Sequence, residues 1–135
     1  MTDEIQRPRV GCGAAILDDH GRLLLVKRVK NPEADHWGVP GGKLDWGEAA
    51  HVCAERETHE ELGITLKAGK VLAVTDMVAP DYHWVAITYA VESWEGEPSI
   101  QEAHALHEWG WFALDALPSP MTAGAIDAVA ALRKA

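Results

Sequence analysis

The stretch GGKLDWGEAAHVCAERETHEELG, residues 41–63, decides the fold, because it joins a glycine-rich turn to a helix with acidic residues on its inner side. Helical signals begin near Trp46, and the helix is expected over about 48–62. Gly63 is typical of the position just beyond a helix C-terminus. At about 100° per residue, small and apolar residues of the first half share one stripe, which predicts the buried face. They are Ala49, Ala50, Val52, Cys53 and Ala54.

Three glutamates continue this stripe into the second half of the helix. Glu57, Glu60 and Glu61 are spaced i, i+3 and i+4, so their side chains are neighbours. Their mutual repulsion and their place near the helix C-terminus, where the dipole favours cations, both cost stability. Mg²⁺ binds carboxylate oxygens and also keeps waters and substrate phosphates. The cluster therefore predicts a Mg²⁺ site open to a phosphorylated ligand, and the alternative is a solvated acidic helix end. The residues expected on the solvent side are His51, Glu55, Thr58 and His59.

The same stretch resembles the Nudix box: G, five residues, E, seven residues, R-E, an apolar residue, any residue, E-E, any residue, G and an apolar residue. Every position of fixed identity is matched over residues 42–64, and Thr58 stands where the family usually has a bulky aliphatic residue. Flanking segments extend the resemblance over most of residues 8–118. It implies an α/β fold, namely an α/β/α sandwich with a mixed β-sheet. It also implies Mg²⁺- or Mn²⁺-dependent hydrolysis of a nucleoside diphosphate linked to another moiety.

The resemblance assigns roles to individual residues of the box. Glu57 and Glu61 correspond to the principal metal ligands, and Glu60 corresponds to a further ligand or a base. The carbonyl of Gly42 corresponds to a supplementary metal ligand. Arg56 is expected to orient the carboxylates by ion pairing.

Two further glutamates are candidates for supporting roles. Glu48 is expected to brace the loop or to bind a metal through water. The catalytic base varies across the family and is sometimes a carboxylate outside the box. Glu102, in the loop 99–107, is the candidate here, and its alternative is an exposed loop glutamate.

Substrate-binding candidates lie around the box. Lys43 follows the two glycines as a local cation, and Arg28 stands beside Lys27 at the end of a predicted strand. His83 and Trp84 begin another strand and offer a surface on which a base would stack. The alternatives are solvated edge-strand cations, and a core tryptophan beside an exposed histidine.

The residues of the Nudix box do not determine which substrate is hydrolysed. The chain looks like the MutT-like enzymes, which predicts a nucleoside triphosphate, including one with an oxidised base, cut to monophosphate and pyrophosphate. Pro80, which follows the box, keeps ADP-ribose and other nucleotide sugars as an alternative. A catalytically silent nucleotide sensor is the third hypothesis, and the intact acidic set argues against it.

Composition excludes several other classes. The chain has 135 residues, 12 basic and 21 acidic side chains, and a net charge of −9, so neither a nucleic-acid polymer nor an anionic membrane is an expected partner. The polar start of the chain and the absence of a long apolar run favour a cytoplasmic protein. A small nucleotide is the expected partner, and a homodimer is compatible with the exposed aromatic segments.

A single Nudix-type domain is expected over residues 1–135, with 1–8 as a flexible N-terminus. Strands are predicted at 10–17 and 23–29, as a hairpin or as neighbours, and a short extended piece at 37–40 is broken by Gly41 and Gly42. Further strands are predicted at 71–78, 84–91 and 108–113, with a loop at 79–83, and a closing helix at 120–134.

Overall fold

The computed structural model describes residues 6–134, in which seven strands form two sheets and two helices pack against them. The elements in chain order are β1 Arg9–Ala15, β2 Leu23–Arg28, β3 Trp37–Gly38, β4 Gly41–Lys43, α1 Ala50–Leu62, β5 Thr65–Ala79, β6 Tyr82–Glu95, β7 Leu106–Phe112 and α2 Ala123–Lys134. The predicted α/β class with a mixed sheet is confirmed.

The larger sheet lies between the two helices. Its strand order is β4-β1-β6-β5, and β1 runs antiparallel to β4 but parallel to β6. Cys12 and Ile87 are paired neighbours on the face that packs against Cys53 of α1. Ala86, one residue earlier, faces the other side, where Gly124 of α2 approaches it. The result is the predicted α/β/α sandwich.

The smaller sheet, ordered β3-β2-β7, is antiparallel and is also covered on both faces. Alternate side chains of β2 enter two different clusters of the core. Leu24 packs in the cluster that contains Leu62 of α1, while Leu25 packs in the cluster that contains Ala125 of α2. Burying each leucine contributes about 1.5–3 kcal/mol, so β2 ties both helices to one strand.

The first two strands do not form the predicted hairpin ladder. A turn held by Asp18, whose carboxylate accepts hydrogen bonds from the backbone N–H groups of His20 and Arg22, brings Leu17 opposite Leu23 in a single bridge. Beyond that bridge β1 joins the larger sheet and β2 the smaller one. The predicted pairing is therefore confirmed at the turn and wrong for the rest of the two strands, because each strand pairs with strands from later in the chain.

The two glycines of the turn also differ from expectation. Instead of interrupting the extended segment, they form part of β4, in which Gly41 pairs with Gly13 and Gly42 with Cys12. A Cβ on Gly41 would overlap the carbonyl oxygen of Cys12, so glycine is required for this close pairing. The backbone of β4 therefore packs directly against α1.

Strand and helix ends shift by a few residues. β5 and β6 are longer than predicted and meet at a turn that includes Pro80 and Asp81, so the expected loop at 79–83 shrinks. Helix α1 begins at Ala50 instead of near Glu48 and ends, as predicted, at Gly63, which is left-handed at φ 74°. Of the expected flexible N-terminus, residues 1–5 lie outside the described residues. In the part of the chain from 6 to 134, no helix is both long and apolar enough to cross a membrane.

Candidate active site

Helix α1 presents its inner face to the strands that carry the glycines. The buried residues of that face are Cys53, Ala54, Thr58, Glu61 and Leu62. Thr58 was expected at the solvent side but is fully buried, where its hydroxyl donates to the Ala54 carbonyl at 2.8 Å. Val52 was expected inside but is 42% exposed. The buried stripe is therefore rotated slightly about the helix axis relative to the predicted one, and Glu61 lies at its centre.

Glu61 is a buried carboxylate with little compensation. It is 8% exposed, and its Oε1 accepts one hydrogen bond, from the backbone N–H of Gly41 at 2.9 Å. Among residues 6–134 no basic side chain forms an ion pair with it. Burial raises the pKa of Glu61 to about 8, and the nearby charges of Glu57 and Glu102 act in the same direction. The site thus holds an acidic group without its own counter-ion.

Glu57 lies one turn earlier, against the backbone of Gly42. Any Cβ at Gly42 would overlap the Glu57 carboxylate, so the side chain rests directly on the strand. Burial raises the pKa of Glu57 to about 7, and the neighbouring Glu60 adds to the effect, while Arg56 opposes it. Glu57 and Glu61 therefore form a pair of poorly compensated carboxylates beside β4.

Arg56 is the cationic centre of the acidic cluster, and its orienting role stays a prediction. Its guanidinium binds Glu48 through two atoms, with Nε to Oε2 at 2.6 Å and Nη2 to Oε1 at 2.9 Å. Its Nη1 also donates to Glu57 at 3.2 Å and to Glu60 at 3.0 Å. A planar guanidinium holds several carboxylates in fixed directions, which a lysine cannot do.

Glu48 braces the loop before the helix. The Arg56 hydrogen bonds hold the pKa of Glu48 down at about 2, so this carboxylate stays ionised. Its Oε1 also accepts from the backbone N–H of Asp45 at 3.2 Å, and Asp45 itself contacts Arg56 at 3.3 Å. The bracing role expected of Glu48 is the one that the contacts display.

Glu60 and Glu102 lie at the edges of the pair. The Glu60 side chain is 44% exposed, which makes it more open than the predicted inward position. Glu102 follows a segment that is tied to the end of α1, since the backbone N–H of Gln101 donates to the carbonyl of Glu61 at 2.8 Å. The negative charge of Glu102 contributes to the raised pKa values of Glu57 and Glu61.

The donor set fits a hard divalent cation, although no preformed cage of three or more acidic, histidine or cysteine side chains exists among residues 6–134. Glu61, which has no ion-pair partner among residues 6–134, and Glu57, which shares Arg56 with other carboxylates, lie against the backbone of Gly41 and Gly42. The carbonyl oxygen of Gly42 is a further hard donor. Mg²⁺ needs only one or two carboxylates, because water and phosphate oxygens complete its shell. The chemistry of these donors matches the role that the resemblance implies.

The substrate candidates are not all brought together. The Arg28 guanidinium donates to the carbonyls of Pro32 and Lys30, yet lies near enough to lower the pKa of Glu61. Lys43 is exposed, directly after Gly42 in β4. Successive side chains of β6 face opposite sides of the sheet, so His83 and Trp84 do not form one surface. Trp84 is half-buried with the Arg9 guanidinium 5.8 Å from its ring centre, whereas His83 is exposed.

Two contacts at the site were missed from the sequence. The Cys53 thiol donates to the Gly42 carbonyl at 3.6 Å, and the backbone of Gly41 binds Glu61. Cys53 stands one helical turn before Glu57, a spacing that indicates a position beside the site, but the sequence analysis assigned Cys53 only to the packed face of the helix. Burial raises the pKa of the Cys53 thiol, which therefore keeps its proton.

A groove on α1 borders the acidic cluster, since Arg56 is among its lining residues. Its lining includes Val52, His59, Glu60 and Leu66, but neither Glu57 nor Glu61. The two carboxylates lie against the backbone of β4, Glu57 beside Gly42 and Glu61 bonded to the Gly41 N–H.

A protein-family model described as NUDIX domain matches residues 7–132 of the chain. The chain belongs to the Nudix family. This Nudix hydrolase is MutT-like: a crystal structure described as a MutT NUDIX hydrolase from Burkholderia pseudomallei is 46% identical, with a TM-score of 0.88, over 94% of this chain and 99% of that one.

Two further comparisons bear on the activity of this Nudix hydrolase. The 8-oxo-dGTP diphosphatase of Escherichia coli (strain K12) is 31% identical over 95 residues, which are 70% of this chain and 73% of that protein. A structure described as an ADP-ribose pyrophosphatase from Streptococcus suis is 26% identical, with a TM-score of 0.64, over 95% of this chain and 92% of that one. The chain spans less than half the length of several other curated relatives.

Proposed function

We propose that this Nudix hydrolase uses Mg²⁺, or Mn²⁺ in its place, to hydrolyse a nucleoside triphosphate to a nucleoside monophosphate and pyrophosphate. Triphosphates with an oxidised base are included. The observation that carries the proposal is the buried Glu61 carboxylate, which lies beside Glu57 on the glycine backbone of β4 with no ion-pair partner among residues 6–134. A group of this kind is costly unless a cation joins it.

In this proposal Glu57 and Glu61 hold the cation, with the Gly42 carbonyl as a supplementary ligand. Glu60 is a further ligand or a base at the open edge of the cluster. When bound, a divalent ion supplies charge neutralisation at the transferring phosphorus and activation of water. That neutralisation matters more than usual here, because a chain of net charge −9 repels a polyanion.

The remaining groups of the chain position the reactants. Glu48 anchors the Arg56 guanidinium, which in turn hydrogen-bonds Glu57. This restricts the movement of the Glu57 carboxylate. Glu102 is the candidate general base, because the preceding residue, Gln101, donates its backbone N–H to the Glu61 carbonyl at 2.8 Å and so holds this loop at the end of α1. It would take a proton from the attacking water, whose oxygen forms a bond to phosphorus as the pyrophosphate oxygen leaves.

Substrate contacts are assigned to four side chains. Lys43 lies in β4 directly after Gly42, and the charge of Arg28 acts on Glu61, so we assign these two cations to the phosphate chain. Trp84 offers an aromatic face for a base, and a stacked base contributes about 1–3 kcal/mol. His83 lies on the opposite face of β6 and would contact substrate only from that side.

The choice of a triphosphate is supported by similarity to the Escherichia coli 8-oxo-dGTP diphosphatase and to the Burkholderia pseudomallei MutT structure. The Streptococcus suis structure described as an ADP-ribose pyrophosphatase keeps nucleotide sugars as the second candidate. A silent sensor is disfavoured, because Glu57, Glu60 and Glu61 are all present. The cytoplasmic location, the single domain and a homodimer stay predictions.

A substrate panel tests the proposal. Common and oxidised triphosphates, ADP-ribose and NADH are incubated with the protein and Mg²⁺, and the first phosphorus-containing product is identified by ³¹P NMR. We expect pyrophosphate from a triphosphate, and loss of turnover in excess chelator. Orthophosphate as the first product, faster cleavage of ADP-ribose, or undiminished turnover in chelator would each contradict it.

A further inference from the structure

The Cys53 side chain packs against β4 and is completely buried. Its sulfur is 3.6 Å from the carbonyl oxygen of Gly42, to which the thiol donates. Nη2 of Arg56 donates to the same sulfur from the other side at 3.9 Å. One thiol thus contacts a backbone oxygen proposed as a metal ligand and the guanidinium that orients the carboxylates.

These two contacts are chemically compatible. A thiol has one proton to give and sulfur lone pairs to offer, so Cys53 donates to Gly42 while it accepts from Arg56. The Gly42 carbonyl has two lone pairs, and the thiol engages one of them, which leaves the other for a cation. Partners of metal ligands commonly fix the direction in which a ligand presents its oxygen.

We propose that Cys53 is a positioning residue, whose thiol joins the Gly42 carbonyl to the Arg56 guanidinium and so fixes the direction of that carbonyl toward the cation. The inference rests on the proposed function, because it assumes a cation at Glu57, Glu61 and Gly42. Cys53 itself touches neither the substrate nor the reacting atoms. Its contribution is to affinity for the ion and to the orientation of the ligand.

Cys12 provides a matched comparison within the same cluster of the core. It is also a buried cysteine, at 2% exposure, and it packs beside Cys53. Among residues 6–134, its thiol makes no hydrogen bond to the Gly42 carbonyl or to Arg56 of the kind that Cys53 makes. Removing either sulfur creates a similar cavity, so packing alone predicts similar effects of the two changes.

The test measures Mn²⁺ binding without substrate, by EPR of the free ion, in the wild type and in the variants Cys53→Ala, Cys53→Ser, Cys12→Ala and Glu61→Gln. We expect Cys53→Ala to raise the dissociation constant about 10-fold. Cys12→Ala and Cys53→Ser should stay close to the wild type, since serine keeps a donor at the same position. Equal affinities for Cys53→Ala and Cys12→Ala would overturn the positioning role.

A second measurement does not depend on any substitution at Cys53. In Cys12→Ala the only remaining thiol is Cys53, so its S–H stretching band is observed alone by infrared spectroscopy. Saturating Mg²⁺ should shift that band, because the bonded Gly42 carbonyl becomes a poorer acceptor. An unchanged band overturns the inference even if every variant folds.

The controls separate the two proposals. If wild type binds Mn²⁺ and Glu61→Gln does not, while Cys53→Ala binds as wild type does, only the role of Cys53 is wrong. If wild type and Glu61→Gln bind equally weakly or equally well, the proposed cation site fails, and the inference about Cys53 fails with it.

Discussion

The acidic face of α1 has two sides that differ in their compensation. On one side Arg56 binds Glu48 through two atoms, and the pKa of Glu48 is held at about 2. On the other side Glu61 is buried, and its pKa is raised to about 8. Among residues 6–134 its carboxylate accepts a hydrogen bond only from the Gly41 backbone N–H. The paired side braces the loop before the helix, whereas the unpaired side is available to a cation. Glu57 touches both, because it contacts Arg56 and Gly42.

The largest expected effect comes from neutralising the unpaired side. Glu57→Gln and Glu61→Gln should each lower kcat at least about 100-fold, because several kcal/mol of charge stabilisation by the metal is lost and each 1.36 kcal/mol is tenfold. Glutamine keeps the size and the acceptor oxygen. Turnover in Mg²⁺ and the melting temperature in chelator are measured together.

Glu55→Gln is the matched control for these two variants. Glu55 lies on the same helix and accepts from the Ala68 backbone N–H at 2.9 Å, which glutamine also does. Its turnover should equal that of the wild type. A Glu61→Gln protein that melts much lower yet turns over normally would mean that the carboxylate serves structure alone.

Glu102→Gln tests whether a third carboxylate completes the unpaired side. A general base typically contributes about 100-fold or more, so we expect kcat to fall by about that factor with KM little changed. Glu97→Gln, in the preceding exposed loop, is the comparison variant. Equal turnover of the two variants would remove Glu102, which is half-buried, from the mechanism.

Arg56→Lys acts on the paired side and should have a smaller effect. Lysine cannot bind Glu48 through two atoms, so the melting temperature should fall, and kcat should fall by about 10-fold. Arg22→Lys is the control, since Arg22 also binds a carboxylate, Asp18 at 2.7 Å, but is 45% exposed. Equal melting temperatures for the two lysine variants would contradict the bracing role of Arg56.

The smallest effect is a pH dependence of stability in chelator. The folded pKa values of Glu57 and Glu61, about 7 and 8, exceed the ordinary glutamate value of 4.5, so the folded chain holds more protons than the unfolded chain in this range. Stability should therefore fall as pH rises from about 4.5 to 8. Glu48, with its lowered pKa, contributes stability that is lost as pH falls from about 4.5 to 2.

Melting temperatures at pH 5 and pH 8 give this slope. The decline from pH 5 to pH 8 should be shallower in Glu61→Gln than in wild type, because one raised pKa has been removed. Glu55→Gln should keep the wild-type slope. Parallel slopes in all three proteins would show that Glu61 is not the titrating group.

Much of the site followed from spacing in the sequence. The i, i+3, i+4 pattern of Glu57, Glu60 and Glu61 and the glycine pair of the turn are local features, so they could be placed on one helix and one adjacent segment. The resemblance to the Nudix box added the role of Arg56. The rotation of the stripe, which buries Thr58 and exposes Val52, could not be found, because small residues leave the buried face poorly defined.

Features that depend on pairing between strands far apart in the sequence could not be predicted from local spacing. β1 and β2 belong to different sheets because β1 pairs with β4 and β6. The sequence of β1 itself does not indicate which strands it will pair with. The opposite orientation of His83 and Trp84 follows from strand alternation, once β6 is known to begin at Tyr82. The contact of Cys53 with the Gly42 carbonyl depends on β4 lying under α1.

A crystal soaked in Mn²⁺ and measured at the manganese absorption edge tests the central claim most directly. We expect one anomalous peak about 2.0–2.3 Å from carboxylate oxygens of Glu57 and Glu61 and from the Gly42 carbonyl oxygen. The Arg56 contacts to Glu48 should be unchanged. A saturating soak that leaves no peak between these groups, or that places manganese only on other carboxylates, would contradict the account.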